Sequence, residues 1–240
     1  MKTLLLLLLS TGLFACSKNG PTLTGDTLDS TTAKTTMPTI TKNISYLALG
    51  DSYTIGESVN QAGSFPYQLS AKLSAYGVQD PTIIARTGWT ADNLIDAINS
   101  SGIKGKTYDF VTLLIGVNDQ YQGLSQTNYR TKFVQLLNTA ITFAKGNKTR
   151  VFVVSIPDYG VTPFAGGQDA VIGPLIDQFN AINNEESDKA GVNYINITPI
   201  SKQAATDASL IALDGLHPSI KMYALWVDAI APVVAKSLAP

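Results

Sequence analysis

One stretch decides the fold of this chain: Tyr46-Leu47-Ala48-Leu49-Gly50-Asp51-Ser52-Tyr53. Its apolar run has no polar alternation, which is typical of a strand buried on both faces of a parallel sheet. Gly50 ends the run and, lacking a side chain, permits a sharp turn and a close approach of the backbone. Ser52 is therefore predicted to lie where the chain leaves a buried strand, ahead of a helix. Taken alone, Gly-Asp-Ser also fits an ordinary turn, since all three residues favour turns.

Further apolar runs predict the other strands, and they span residues 81–85, 110–115, 151–156 and 194–197. Apolar residues at helical spacing predict the intervening helices, of which one begins at Ser64-Phe65-Pro66 and another is capped by Thr90. The Gly-rich segment 158–173 predicts a loop that forms a wall of a cleft. Alternating strands and helices predict a mostly parallel, five-stranded sheet covered on both faces.

Composition and charge limit the classes of function that the protein can have. The chain has 240 residues, of which 45% are hydrophobic and 15% charged, as expected for one globular domain with a sizeable core. A formal net charge of −1 without a Lys/Arg cluster argues against nucleic acid as a partner. A single cysteine excludes an intramolecular disulfide, and no Cys/His grouping has metal-ligand spacing, so we expect neither a metal nor another cofactor.

The N-terminal residues have the layout of a secretory signal. Lys2 precedes the apolar stretch 4–9, which is too short to span a bilayer. Leu13-Phe14-Ala15-Cys16 then resembles the lipobox of bacterial lipoproteins, in which cleavage precedes a cysteine that becomes lipidated. This resemblance implies a signal peptide over 1–15 and a lipid anchor at Cys16. An ordinary cleaved signal with a spare cysteine is the weaker alternative.

The segment behind Cys16 is rich in Thr, Ser, Gly, Lys and Asp and nearly free of large apolar side chains. Such a segment cannot bury enough surface to offset its ordering entropy, so 16–43 is predicted to be a disordered tether. The remaining residues, 44–240, form the predicted folded domain. With the anchor, this organisation predicts a protein of the bacterial cell envelope that is attached to the membrane and faces the periplasm or the exterior.

The chain has only one histidine, and this residue is the starting point for predicting a catalytic reaction. A serine hydroxyl is a weak nucleophile and needs a base that accepts its proton, a role that suits imidazole near neutral pH. His217 is the one candidate base for Ser52, and Asp214 on the same predicted loop can orient its ring. Standing alone, His217 would more readily be interpreted as a surface or capping residue.

An attacked carbonyl develops an oxyanion, which needs preorganised donors. Three are available at the carboxyl edge of the predicted sheet: the N–H groups of Ser52 and Gly88 and the side-chain amide of Asn118. Gly88 and Asn118 are also common turn residues. Asp51 and Asp119 are interpreted as structural, accepting hydrogen bonds from nearby backbone N–H groups.

Together these residues match four motifs that occur in order along the chain. They are Gly50-Asp51-Ser52, Gly88, Gly116-Val117-Asn118-Asp119 and Asp214-Gly215-Leu216-His217. The set resembles the four blocks of the SGNH (GDSL-type) hydrolases and covers the domain from about Ile44 onward. The resemblance implies a flavodoxin-like, three-layer α/β/α sandwich and a serine ester hydrolase with a Ser52–His217–Asp214 triad. The first block reads Gly-Asp-Ser-Tyr instead of Gly-Asp-Ser-Leu.

Aromatic residues next to these blocks or in the long predicted loop are candidates for the substrate cleft, namely Tyr53, Trp89, Tyr121, Tyr159 and Phe164. Aromatic rings can stack on a sugar or hold an acyl chain, so they do not discriminate between substrates. The leading hypothesis is removal of acetyl or other short acyl groups from extracellular glycans or small esters. The alternatives are a lysophospholipase-like lipid esterase and a non-catalytic glycan-binding lipoprotein of the same fold.

Overall fold

The computed structural model describes residues 43–239 of the chain. The predicted signal peptide, Cys16 and all but the last residue of the predicted tether lie outside these residues. Within the described part, no helix has the length and apolarity that crossing a membrane requires.

A single sheet organises the described residues. Its strands are β1 (Tyr46–Gly50), β2 (Thr82–Ala85), β3 (Phe110–Leu114), β4 (Val151–Val154) and β5 (Asn193–Ile195). All neighbouring pairs are parallel and the order is β2-β1-β3-β4-β5. The predicted five-stranded parallel sheet is therefore confirmed. The order reverses between β1 and β3, which makes the gap beyond their carboxyl ends the expected ligand site.

Helices cover both faces of the sheet. They are α1 (Ser52–Ile55), α2 (Phe65–Lys72), α3 (Ala91–Ser100), α4 (Val117–Tyr121), α5 (Gln126–Phe143), α6 (Asp169–Ala190), α7 (Thr198–Ser201) and α8 (Ile220–Leu238). α2 packs against α8, whereas α5 packs against both α3 and α6. Right-handed crossovers account for this division, because the chain runs one way from β1 to β2 and the other way from β2 to β5. The result is a three-layer α/β/α sandwich.

The core lies around the three central strands. Every residue of β1, β3 and β4 is buried, as their unbroken apolar sequences predict, whereas the edge strand β2 is only half-buried. Tyr46 of β1 stacks on Phe110 of β3 with ring centroids 4.3 Å apart. The Tyr46 hydroxyl shares a 2.8 Å hydrogen bond with the Thr112 hydroxyl, so this buried phenol has a polar partner.

Local sequence signals account for several helix starts. α2 follows Ser64 with Pro66 in its first turn, as predicted. α3 begins after Thr90, whose side chain accepts a hydrogen bond from the Asn93 N–H while the Asn93 side chain accepts one from the Thr90 N–H. This reciprocal capping box fixes the start of α3, and with it the end of the loop that carries Gly88.

The prediction of a loop over 158–173 is wrong in its second part, because α6 begins at Asp169. Two short 3₁₀ turns, Tyr159–Val161 and Pro163–Ala165, occupy the first part. Gly173 lies within the helix, where a Cβ atom would approach Asp158 Oδ2 to 3.0 Å. Gly173 therefore allows the helix to pack closely on Asp158 and does not mark a loop. The Gly-rich composition of this segment was for that reason a poor indicator of its structure.

Candidate active site

The β1–α1 junction presents Ser52 at the carboxyl edge of the sheet. A Cβ atom on Gly50 would lie 2.4 Å from the Leu114 carbonyl oxygen of the neighbouring strand, so only glycine fits there. Asp51 caps α1 by accepting a 3.0 Å hydrogen bond from the Tyr53 N–H, which confirms its structural role. Ser52 is the first residue of α1, and the first N–H groups of a helix have no partner within it.

Asp51 lies in an apolar environment behind Ser52. Burial raises the pKa of Asp51 to about 8, and the nearby Asp119 charge adds to the rise against the opposing Tyr53 hydrogen bond. Its Oδ2 atom is buried without a hydrogen-bond partner. Burial therefore favours the protonated form of this carboxyl over the charged form.

His217 and Asp214 form the second part of the candidate site, and both lie on the loop that precedes α8. His217 Nδ1 lies 2.5 Å from Asp214 Oδ2, and the imidazole is almost fully buried while about 30% of the Asp214 side chain is exposed. Nδ1–H donates to the carboxylate, which leaves Nε2 free to accept a proton. The predicted pairing of this aspartate with this histidine is therefore formed in the structure.

The Asp214 carboxylate accepts four hydrogen bonds. The backbone N–H groups of Leu216 and His217 bind Oδ1 at 3.0 Å each, while His217 Nδ1 and the Ser58 hydroxyl bind Oδ2. Partial burial acts to raise the pKa of Asp214, but these donors outweigh it and hold that pKa well below its usual range. Asp214 is thus ionised at neutral pH, as an orienting carboxylate must be.

Gly88 and Asn118 follow β2 and β3. Gly88 has a φ of +83°, which favours glycine, and nothing lies within 4 Å of the position that a Cβ would take. The Asn118 amide donates a 3.0 Å hydrogen bond to the Trp89 carbonyl oxygen. Since a side-chain amide has two N–H donors, this bond fixes the amide plane and leaves the second donor for a ligand.

Asp119 ties these two loops together. Its Oδ2 atom accepts a 3.0 Å hydrogen bond from the Ala91 N–H at the start of α3, as the structural interpretation predicted. Burial raises the pKa of Asp119 to about 6, against the opposing hydrogen bonds from the Ala91 and Asp119 N–H groups. The Gly88 loop and the Asn118 turn are consequently held at a fixed separation.

One cavity of about 150 Å³ brings the candidate residues together. Its walls include Ser52, Gly88, Asn118 and His217. No hydrogen bond joins the Ser52 and His217 side chains in the described structure. Such contacts are often long in an empty site and tighten when substrate binds.

Four of the five predicted aromatic residues line this cavity, namely Tyr53, Tyr121, Tyr159 and Phe164. Tyr53 is buried with its ring centroid 5.4 Å from that of His217. Tyr121 is 60% exposed and Phe164 is 51% exposed, with centroids 6.1 Å apart at the mouth.

Trp89 is a correction to the predicted cleft. Its side chain does not line the cavity and instead packs, half-buried, against the hydrophobic core. The residue contributes to the site through its carbonyl oxygen, which receives the Asn118 amide. Proximity to Gly88 in sequence could not reveal which way the side chain turns.

Some residues of the site were not predicted from the sequence. Thr87, Val117 and Leu216 line the cavity beside predicted residues, and their places in or next to the motifs could have suggested them. Ser58 contacts Asp214 from 156 residues away in the sequence. Nothing in its local sequence pattern signals that contact.

The arrangement can perform acyl transfer. It offers a hydroxyl at a strand end and a buried imidazole oriented by an ionised carboxylate. Gly88 and Asn118, which carry further N–H donors, line the same cavity as Ser52. A carbonyl oxygen that becomes negatively charged in this small cavity would meet fixed donors instead of mobile water.

Comparisons with known proteins point the same way. A model of the GDSL-like lipase/acylhydrolase family matches residues 48–225. No curated protein sequence matches the chain.

Solved structures of similar fold include a lipase/acylhydrolase from Enterococcus faecalis, at 18% identity and a TM-score of 0.64, which covers 82% of this chain and 98% of that one. The psychrotrophic esterase EstA from Pseudoalteromonas sp. has 19% identity and a TM-score of 0.61, covering 82% and 99%. The acetylxylan esterase Axe2 from Geobacillus stearothermophilus has 17% identity and a TM-score of 0.62, covering 84% and 96%. At these identities the likeness is one of fold.

Proposed function

Since the chain belongs to the GDSL-like lipase/acylhydrolase family and is thus a carboxylic ester hydrolase, we propose that Ser52, His217 and Asp214 are its catalytic triad. The N–H groups of Ser52 and Gly88 and the Asn118 amide form the oxyanion hole. The observation that carries the proposal is the single cavity lined by Ser52, His217, Gly88 and Asn118, with Asp214 hydrogen-bonded to the histidine behind it.

The reaction proceeds in two halves. In the first, Ser52 Oγ attacks the ester carbonyl carbon while its proton passes to His217 Nε2, and the oxyanion hole binds the new negative oxygen. The intermediate collapses as the bond to the alcohol breaks, and the imidazolium gives its proton to the leaving alcohol. In the second half, water attacks the acyl-enzyme with His217 again as base, and the acid departs as Ser52 regains its proton.

Short acyl esters are the proposed substrates, with acetyl groups on extracellular glycans first among them. A cavity of about 150 Å³ is smaller than the roughly 300–1,000 Å³ typical of sites for drug-sized ligands. It suits a small acyl group with the alcohol part reaching outward. The exposed rings of Tyr121 and Phe164 at the mouth offer stacking surfaces for a sugar.

A lipid esterase is the second candidate, because exposed apolar side chains belong to the cavity or to its neighbouring residues in the sequence. Besides Tyr121 and Phe164, Leu213 is fully exposed directly before Asp214. A long acyl chain could lie along these groups. The third reading, a non-catalytic glycan-binding protein, leaves the paired Asp214 and His217 without a purpose.

A chain-length series tests these proposals. The purified protein is assayed on nitrophenyl esters from acetyl to long acyl, then on acetylated glycans, with Ser52→Ala as the control. We expect kcat/KM to be highest for the shortest esters. A maximum at long acyl chains supports the lipid esterase, and turnover no faster than that of folded Ser52→Ala overturns the proposed function.

We also propose that Cys16 carries the lipid anchor and holds the enzyme at the bacterial cell envelope, facing the periplasm or the exterior. The Leu13-to-Cys16 spacing and the polar segment behind it support this proposal. One acyl chain binds membranes only marginally, so stable anchoring requires more than one. Cys16→Ser should move the protein from the membrane fraction to the soluble fraction, and a variant that stays in the membrane fraction contradicts the assignment.

A further inference from the structure

The chain leaves α1 through a tight turn that is fixed to the backbone of Ser52. The N–H groups of Gly56 and Glu57 both donate to the Ser52 carbonyl oxygen at 3.1 Å. Gly56 has a φ of +79° and Ser58 a φ of +66°, so the chain reverses sharply at this point. The position of Ser58 is consequently set by the residue that carries the nucleophile.

From this turn, Ser58 reaches the Asp214 carboxylate. Its hydroxyl donates to Asp214 Oδ2 at 2.6 Å, the same oxygen that accepts the His217 Nδ1–H. The other three donors to Asp214 belong to its own loop, at Leu216 and His217. Among the contacts described for this carboxylate, Ser58 alone ties it to the part of the protein that holds Ser52.

The same turn also contacts the Gly88 side of the cavity. Glu57 accepts a hydrogen bond from the Thr87 hydroxyl, next to Gly88. Adjacent residues of one turn therefore hold the loop of the orienting acid and the loop of an oxyanion donor. This geometry sets both loops relative to the nucleophile.

The backbone conformation at Ser58 is unfavourable for any residue except glycine. Among the described residues, only Ser58 and Lys145 have a positive φ without being glycine. The Ser58 side chain is exposed, so burial does not account for its presence. At this position serine supplies a hydroxyl, which glycine lacks. Residues with a strained backbone of this kind cluster at functional sites.

We propose that Ser58 is a positioning residue for the hydrolysis reaction, its hydroxyl holding the Asp214 carboxylate in the orientation that fixes the His217 ring. The proposal rests on the proposed triad. The Asp214 side chain is partly exposed, so without Ser58 water competes for Oδ2 and the carboxylate can turn away from the ring. Other contacts hold the loop backbone, such as the 3.0 Å hydrogen bond from the Phe164 N–H to the Gly215 carbonyl. Loss of the hydroxyl therefore affects the carboxylate and leaves the loop folded.

Three substitutions at this position separate positioning from stability. Ser58→Ala removes the hydroxyl and keeps the strain, Ser58→Gly removes both, and Ser58→Thr keeps the hydroxyl but places a β-branched residue at positive φ. We expect kcat to fall on the order of 10-fold for Ala and Gly, as for loss of a hydrogen bond to a charged group, with KM little changed. Ser58→Thr should keep most of the kcat.

The melting temperatures of the Gly and Thr variants should change in the direction opposite to their kcat values. Ser58→Gly should melt at or above the wild-type Tm and Ser58→Thr below it, so the more stable variant is the slower enzyme. Ser209→Ala is the matched control, since the exposed Ser209 hydroxyl donates to Asp207 at 2.5 Å away from the cavity. Its kcat should equal that of the wild type.

Two outcomes at Ser58 overturn the proposal. One is a wild-type kcat for both Ala and Gly, and the other is a kcat that falls in step with Tm across the three variants. Ser52→Ala and Asp214→Asn, measured in parallel, report on the proposed function separately. If either keeps full activity, the triad is wrong. If both are inactive while Ser58→Ala and Ser58→Gly are normal, the triad stands and only the role of Ser58 falls.

Discussion

The Asn118 amide provides the sharpest test of the oxyanion hole. One of its N–H groups donates to the Trp89 carbonyl oxygen at 3.0 Å, which leaves the other for a ligand in the cavity that Asn118 lines. Asn118→Ala removes this second donor and leaves the N–H groups of Ser52 and Gly88 in place. The substitution therefore weakens the oxyanion hole without dismantling it.

For Asn118→Ala, the loss of fold stability can be compared with the rise in the reaction barrier. Loss of the hydrogen bond to Trp89 should destabilise the fold by about 1 kcal/mol, the usual net value for one such bond. Loss of a preorganised oxyanion donor typically raises the barrier by about 3 kcal/mol, so kcat should fall on the order of 10²-fold. The catalytic effect exceeds the structural one because the amide is needed most when charge develops. KM should change little.

The assay is steady-state hydrolysis of a short-chain nitrophenyl ester at a temperature well below the melting point of the variant. Asn138→Ala on the exposed side of α5 is the control, and both its kcat and its KM should match the wild type. An Asn118→Ala enzyme with a normal kcat and a raised KM would refute the reasoning. Asn118 would then serve only to shape the turn.

Three further substitutions test the surroundings of the site. Burial raises the pKa of Asp51 to about 8, from about 3.9 in the unfolded chain, so its favourable contribution to folding is complete below about pH 3.9 and is lost as pH rises from about 3.9 to about 8. Wild-type Tm should fall over that window more steeply than the Tm of Asp51→Asn, and parallel curves would contradict the assignment. Gly116→Ala would put a Cβ 2.3 Å from the oxygen of the buried Tyr129 at a φ of +122°. It should lower the free energy of unfolding by at least about 3 kcal/mol in urea titrations, and a change within error would mean that this packing is wrong. Phe164→Ala should reduce kcat/KM more for glycan acetates than for a small acetate ester if the ring stacks on a sugar, and equal reductions would remove that role.

The fold was largely predictable from short-range features of the sequence. The buried run before Gly50 and the Thr90 cap are local signals, and both lie where they were predicted. Asp51 and Asp119 also hold the backbone N–H groups of neighbouring turns, as their residue types indicate. Strand ends in a parallel sheet share one edge, so the meeting of Ser52 and Asn118 followed from topology.

The remaining features depend on contacts that local sequence does not encode. Ser58 and Asp214 are 156 residues apart in the sequence, and Ser58 is an exposed serine like many others. Trp89 packs against the core, and its own sequence does not reveal that direction. Gly173 allows a helix to pack closely on Asp158, although glycine in a sequence more often indicates a loop. Each of these depends on three-dimensional packing.

Covalent labelling of Ser52 tests the central claim most directly. A fluorophosphonate reacts with a serine that is activated by a neighbouring base, so the purified protein should take up one label on the Ser52 peptide, as mapped by mass spectrometry. Ser52→Ala and His217→Ala should remain unlabelled and should not hydrolyse esters, while their melting curves report that both are folded. A label on another residue, or ester turnover by Ser52→Ala at the wild-type rate, would contradict the account.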